Sequence, residues 1–281
     1  MYKLYSMQRS GNSYKVRLAL ALLNAPYKAI EVDILRGESR TPEFLARNPS
    51  GQVPLLEVAD GRYLAESNAI LWYVAIGTSL APEDRIDRAQ ALQWMFFEQH
   101  ALEPSVGAAY FWLVLVRGGR DLQTHSLEDW MERGYAALRV MDNHLKTNDY
   151  FAAGHLTVAD IAMYGYTHVA NQCDFDLSGY PSVKAWLKRV ESEPRFVSMA
   201  WKPAEVAAPE TAPGTETGLT AEATGLADST ITDLVIPASI TVEGKEYQVQ
   251  SIGNNAFNNN HFSSITLSEG LKTIVLPMCT K

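Results

Sequence analysis

The chain has 281 residues, 47% hydrophobic and 20% charged, with a net charge of −8. That length holds two compact domains, and the composition excludes a disordered or fibrous chain. Two cysteines without CxxC spacing exclude a disulfide scaffold and a cysteine-rich metal centre, and no run of about 18 apolar residues marks a transmembrane helix.

The N-terminus lacks the apolar core of a signal peptide, so a cytoplasmic, reducing setting without a membrane partner is expected. The charge is uneven. From Pro203 to Lys281 there are nine acidic and three basic residues, against 23 and 21 in residues 1–202, which also hold all six tryptophans. The composition therefore shifts near residue 202. No basic patch points to nucleic acid. Six histidines without HxxxH or HExxH spacing give no metal site.

In chain order, Tyr2–Ser6 alternates and predicts a strand. Ser13–Asn24 is rich in helix formers, and Asn24-Ala25-Pro26 ends that helix. Tyr27–Asp33 predicts a second strand, and a β-α-β opening asks for a parallel pair with a right-handed crossover. Thr41–Pro42 gives an N-cap and a first-turn proline for a short helix, Glu43–Arg47. Val53–Val58 and Arg62–Ala65 flank the turn Asp60–Gly61, which predicts a hairpin entered through Pro54. Ser67 precedes the periodic run Ile70, Leu71, Val74 and is expected to cap the next helix, whose free N–H groups suit a carboxylate. Residues 1–78 thus predict a mixed four-stranded sheet with helices, a thioredoxin-like pattern without the redox CxxC.

From Glu83 to Val116 the pattern is helical, with Pro104 expected to kink or restart it. Ser126–Leu145 is expected to begin with a capping box of Ser126 and Asp129, and Thr157–Asn171 with one of Thr157 and Asp160. Pro181–Ser192 predicts a further helix, striped by Trp186, Leu187 and Val190. Residues 84–202 therefore predict an all-α domain, and the fold class is α+β. Residues 203–230, dominated by Ala, Thr, Glu, Pro and Gly, predict a flexible linker. Residues 231–281 hold short strand-like segments: Leu234-Val-Ile-Pro and Ile265-Thr-Leu-Ser lie 31 residues apart, Ser251-Ile252 and Thr273-Ile274 22 apart.

The chemistry concentrates between the first strand and the first helix. Ser10 and Asn12 bring a hydroxyl and an amide to a helix start, where the macrodipole also favours an anion such as a thiolate. The same side chains serve equally well as plain helix caps. No histidine adjoins Ser10 in sequence, so a serine-hydrolase triad has no local support. Cys173, without a neighbouring cation, reads as a packing residue.

Four motifs carry a resemblance: RSGNSYKVRLAL (9–20), TPEFLARNPSGQVPLL (41–56), ESNAIL (66–71) and GHLTVADIAMYGY (154–166). In order and spacing, residues 1–202 resemble the cytosolic-type glutathione S-transferases of the serine type. The resemblance implies that Ser10 and Asn12 address the glutathione sulfur. It implies that Val53, followed by a cis Pro54, pairs with the cysteinyl main chain. Glu66 and Ser67 would hold the γ-glutamyl end, and Arg40 or Gln52 the glycyl carboxylate. Glutathione would be a co-substrate, with no other cofactor, and the chain a homodimer joined near residues 66–76 and 84–117. Tyr110 is a candidate for an electrophile pocket. Ser10-Gly11-Asn12 stands where zeta-like members have Ser-Ser-Cys, which argues against maleylacetoacetate isomerisation. It is nearer the nu-like Ser/Thr-x-Asn form, so glutathione-dependent disulfide reduction stays open, as does a non-catalytic binding module. Residues 231–281 resemble bacterial surface-type leucine-rich repeats, an interaction surface foreign to the transferases and therefore a fusion.

Overall fold

The computed structural model describes residues 1–58 and 61–203, and beyond them the backbone of 219–223, 233–236, 239–242, 245–252, 264–267 and 273–274. Two compact units result, Met1–Ala207 and Ala208–Lys281.

The first unit opens β1 (Tyr2–Ser6), α1 (Gly11–Leu22), β2 (Tyr27–Glu31), with β1 and β2 parallel and Tyr2 opposite Tyr27. Two single-turn 3-10 helices, Ile34–Arg36 and Glu38–Arg40, lead to α2 (Pro42–Arg47). Thr41 caps α2, its Oγ1 accepting from the Phe44 N–H at 3.3 Å. β3 (Leu55–Glu57) runs antiparallel to β1, and β4 (Tyr63–Ala65) antiparallel to β3, giving the order β2-β1-β3-β4. This is the mixed thioredoxin-like sheet that the sequence predicts. Ala59 and Asp60, in the expected turn, lie outside the described residues. α1 and α3 (Ser67–Ala75) pack together, and Leu4, Leu18, Leu55, Ile70 and Leu71 are fully buried.

The helical part begins with α4 (Arg85–Phe97), capped by Asp84, whose Oδ1 accepts from Ile86 and Asp87. Pro104 does not restart the helix: it lies inside a helical segment that runs on past it. The chain stays helical through wide π turns at Glu98–Gly107 and Phe111–Leu115, joined by α5 (Ala108–Tyr110). A wide turn is a usual place to absorb a missing N–H donor. α6 (Gly119–Leu122) runs almost directly into α7 (Thr124–Leu145). The expected Ser126–Asp129 cap is therefore absent: the N-cap is Gln123, with no side-chain bond, and the Ser126 N–H is already held by the Gln123 carbonyl at 3.0 Å.

α8 (Val158–Thr167) does carry its capping box. Asp160, wholly buried, accepts from Phe151 N–H (3.0 Å), Thr157 N–H (2.9 Å), Thr157 Oγ1–H (3.1 Å) and Trp186 Nε1–H (3.0 Å). α9 (Pro181–Glu191) starts on its proline and buries Trp186, which meets Phe151 edge-on at 5.0 Å. Cys173 is buried, and burial pushes its thiol up to about 12, in keeping with an inert packing role.

In the second unit β8 (Lys245–Ile252) pairs parallel with β5 (Leu219–Ala223) and β10 (Thr273–Ile274) and antiparallel with β7 (Ser239–Val242). β6 (Asp233–Ile236) pairs parallel with β9 (Ser264–Leu267). The two spacings of 31 and 22 residues are thus parallel registers: Leu234 faces Ile265, and Ile252 faces Ile274. β5 lies inside the stretch predicted as linker. Its residues, Leu-Thr-Ala-Glu-Ala, are mostly weak strand formers, so only the nonlocal partner reveals it. The rest of the linker, and the SIG…AF half of the repeat resemblance from Gly253 onward, lie outside the described residues.

Candidate functional site

A cleft of about 410 Å³ lies beside the N-terminus of α1. It adjoins a smaller polar pocket of about 140 Å³, and both are lined by Asn12, Gln52, Val53 and Glu103. Ser10, Arg40 and Tyr110 line the cleft; Pro54, Glu66 and Ser67 line the polar pocket. Every candidate residue from the sequence therefore meets at one composite site.

Ser10 is the N-cap of α1. Its Oγ accepts from the Ser13 N–H at 3.2 Å, and its backbone N–H donates to the Met7 carbonyl at 3.1 Å. The cap uses only a lone pair. The hydroxyl proton has no acceptor among the described residues, so it is free to donate into the cleft beside the positive end of α1. Capping and chemistry are compatible here.

Asn12 stands two residues further, in the first turn of α1. Its Oδ1 accepts from Lys15 Nζ (2.8 Å) and Ser67 Oγ (3.3 Å), while Nδ2 faces Glu103 Oε1 at 3.5 Å. Behind it lies a wholly buried ion pair, Lys15–Glu98 at 2.7 Å. Asn68 Nδ2 (3.1 Å) and Gln99 Nε2 (2.8 Å) satisfy the second Glu98 oxygen. Burial, then the nearby Glu98, raises the Glu103 carboxyl above its usual value.

Val53–Pro54 is a cis peptide at the entrance to β3. Asn48 shapes this loop, donating through Nδ2 to the Gln52 carbonyl at 2.8 Å and accepting from Ser50 Oγ at 2.9 Å. Arg40 Nη1 donates to the Ser50 carbonyl at 2.9 Å, which anchors an exposed cation at the cleft mouth. Gly51 has φ +62, which favours glycine, and a Cβ there would also displace the Arg40 guanidinium.

One expectation is corrected. Ser67 is the first residue of α3, not its N-cap; that place belongs to Glu66, at φ +68 and without a side-chain cap bond. The Ser67 hydroxyl is instead drawn to Asn12, across from α3 to α1. Glu66 is exposed and turned to the polar pocket.

The far wall of the cleft is aromatic and aliphatic: Tyr110, Phe111, Trp112, Leu115 and Tyr166. Tyr166 packs so closely on α1 that a Cβ at Gly11 would lie 2.5 Å from its ring. Sequence reasoning missed Glu103, Gln99, Asn48 and the Lys15–Glu98 pair. Only Asn48 had a local signal, an Asx-turn spacing to Ser50. Arg17, also missed, is 1% exposed and holds the loop before Ser10 through the Met7 (3.3 Å) and Gln8 (2.7 Å) carbonyls.

Residues 9–75 match the glutathione S-transferase N-terminal domain and residues 111–194 the C-terminal domain. The crystal structure of a possible glutathione S-transferase from Rhodopseudomonas palustris is 77% identical, covers 77% of this chain and 98% of that one, and superposes with a TM-score of 0.73.

The chain belongs to the glutathione S-transferase family.

The maleylacetoacetate isomerase of Rhizobium meliloti (strain 1021) is 33% identical over 65% of this chain and 87% of its own length. The disulfide-bond oxidoreductase YfcG of Escherichia coli (strain K12) is 29% identical over the same shares. The family match falls within the first unit, where both the thioredoxin-like sheet and the helical domain lie. Among the described residues, no helix is long and apolar enough to cross a membrane, and no group of metal-ligating side chains gathers.

Proposed function

We propose that this glutathione transferase binds glutathione across the composite site, ionises its thiol at Ser10 and Asn12, and adds the sulfur to an electrophile held by the aromatic wall. The observation that carries the reading is the Ser10 hydroxyl. It caps α1 through its oxygen, keeps its proton for an anion, and opens into the cleft. Val53 offers main chain beside β3 for the cysteinyl unit. Glu66 attracts the γ-glutamyl ammonium, and Ser67 at the start of α3 its carboxylate. Arg40, with Gln52, meets the glycyl carboxylate. Tyr110, with Phe111 and Trp112, faces the electrophile. The thiol gives up its proton to solvent. The sulfur lone pair then forms the new S–C bond while the leaving group departs with the electrons of the broken bond. No covalent enzyme intermediate and no further cofactor enter.

The family shape goes with a homodimer. Tyr73 and Ile76 on and after α3, and Ile86 and Phe96 on α4, leave large apolar surface exposed, with Phe96 at 68%. A reducing cytoplasm suits a thiol co-substrate. In the second unit, the parallel registers of β6–β9 and β8–β10 support the repeat reading, with an interaction surface as its role.

The test is turnover of a general aryl halide with glutathione, in wild type and Ser10→Ala. The reading expects turnover in wild type and a loss of about tenfold or more in the variant. An unchanged rate would reject the role of Ser10. A second reading, glutathione-dependent disulfide reduction, is favoured by the likeness to the Escherichia coli oxidoreductase and by the Ser-x-Asn loop. A disulfide substrate run beside the aryl halide separates the two.

A further inference from the structure

We propose that Lys15 is a positioning residue for the thiol site: from its buried seat against Glu98 it fixes which end of the Asn12 amide faces the cleft. This rests on the reading of Asn12 as a sulfur donor given above. Lys15 is wholly buried on α1 and does not line the cleft, so it does not touch glutathione itself.

Its ammonium reaches Glu98 Oε1 at 2.7 Å and Asn12 Oδ1 at 2.8 Å, and lies 5.6 Å from the centre of the Tyr166 ring. Gly165 on α8 makes room for the stem: a Cβ there would come within 2.6 Å of Lys15 Cγ. An ammonium has three N–H donors and no lone pair, so the Asn12 atom it meets must be the carbonyl oxygen. Ser67 Oγ lies 3.3 Å from that oxygen and, with a rotatable hydroxyl, can donate to it. The Asn12 NH₂ is then forced to the other side, toward Glu103 and the cleft. One of its two N–H bonds points at Glu103 over a long 3.5 Å, and the other has no acceptor among the described residues. Without Lys15, only the long 3.5 Å contact to Glu103 would distinguish the two ends of the amide, and the sulfur would meet an oxygen more often.

The surrounding charges make this a fixed arrangement. Lys15 is faced by Glu98 and Glu103 from the wide-turn segment and by Tyr166 from α8, while Ser67 and Asn68 of α3 bond its two partners, Asn12 and Glu98. Glu98 has both oxygens bonded, so the pair meets the condition under which a buried ion pair is tolerated. Removing one partner would strand the other's charge, so both are removed together in the test.

The experiment uses the full chain with glutathione as the probe and follows the ultraviolet absorbance of the bound thiolate against pH. Lys15→Met with Glu98→Gln is expected to raise the bound thiol pKa by about one unit and lower kcat about tenfold at a pH below it. KM for glutathione should change less than about threefold, since the binding groups stay in place. Placed in an Asn12→Ala background, the same pair of substitutions should add no further shift. A wild-type thiol pKa in the folded double variant would overturn the proposal, as would an equal extra shift in the Asn12→Ala background. If Asn12→Ala alone leaves the thiol pKa unchanged, the reading of Asn12 falls and the proposal with it. If the double variant does not fold, the wild-type crystal structure with glutathione decides. Lys15 Nζ bonded to Asn12 Oδ1, with Nδ2 toward the sulfur, is the expected result; Asn12 swung away from Lys15 would overturn it.

Discussion

Asp160→Ala is the perturbation with the clearest structural consequence. The carboxylate is wholly buried and accepts four donors: two backbone N–H groups, a hydroxyl and the Trp186 indole, all between 2.9 and 3.1 Å. Burial pushes its pKa up to about 6 while the four donors act the other way, holding the ionised form. Alanine leaves the Thr157 cap on the Ala159 N–H but removes the reciprocal half of the capping box, and the stranded buried donors cost about 1–3 kcal/mol each. These costs do not add in full, because water and small shifts recover some. We expect a loss of about 3–5 kcal/mol, a large share of the ~5–15 kcal/mol typical of a domain. Asp160→Asn keeps one acceptor oxygen, and the Thr157 hydroxyl can turn to accept from the new amide, so about 1–2 kcal/mol is expected. Urea unfolding followed by tryptophan fluorescence reads both, since Trp186 reports directly on the site. A loss below about 1 kcal/mol for the alanine variant would refute the reasoning.

Two further predictions follow from side chains away from the cleft. His168 is half-buried against the Tyr14 and Tyr164 rings, at 4.8 Å from each, and loss of solvent around the ring lowers its pKa to about 4. A depressed histidine contributes stability that is full above its unfolded value of about 6.5 and is lost as pH falls through about 4; His168→Gln should flatten that acid slope, by on the order of 3 kcal/mol across the window, and an unchanged slope in urea titrations would contradict it. Under the proposed homodimer, wild type should sediment as a dimer at micromolar concentration and Phe96→Glu on α4 as a monomer; a dimer mass for the variant would remove Phe96 from the interface.

The framework of the first unit was legible because it is local. The β-α-β opening, the Thr41 and Thr157 caps and the first-turn prolines at 42 and 181 all act within a few residues. The misses are nonlocal or depend on a preceding element. Ser67 has the right type for a cap, but Glu66 adopts the turn and frees the hydroxyl for Asn12, 55 positions away in sequence. Ser126 loses its cap because α7 starts two residues earlier, at Thr124, and the Gln123 carbonyl already holds the Ser126 N–H. Lys15 sits in the run SYKVRLAL, where an amphipathic pattern would send it to solvent; only Glu98, far along the chain, explains a buried ammonium. The candidate site was readable residue by residue through its motifs. Its second layer was not, because polar groups that satisfy one another inside a core leave no periodic trace.

The most direct test of the account is the ionisation of glutathione bound to the wild-type chain and to Ser10→Ala. The account predicts that the bound thiol of the wild type titrates at least about one unit below free glutathione, and that Ser10→Ala returns it by about one unit or more while the chain stays folded. A bound thiol that titrates as it does in free solution, or one that is lowered equally in both proteins, would contradict it.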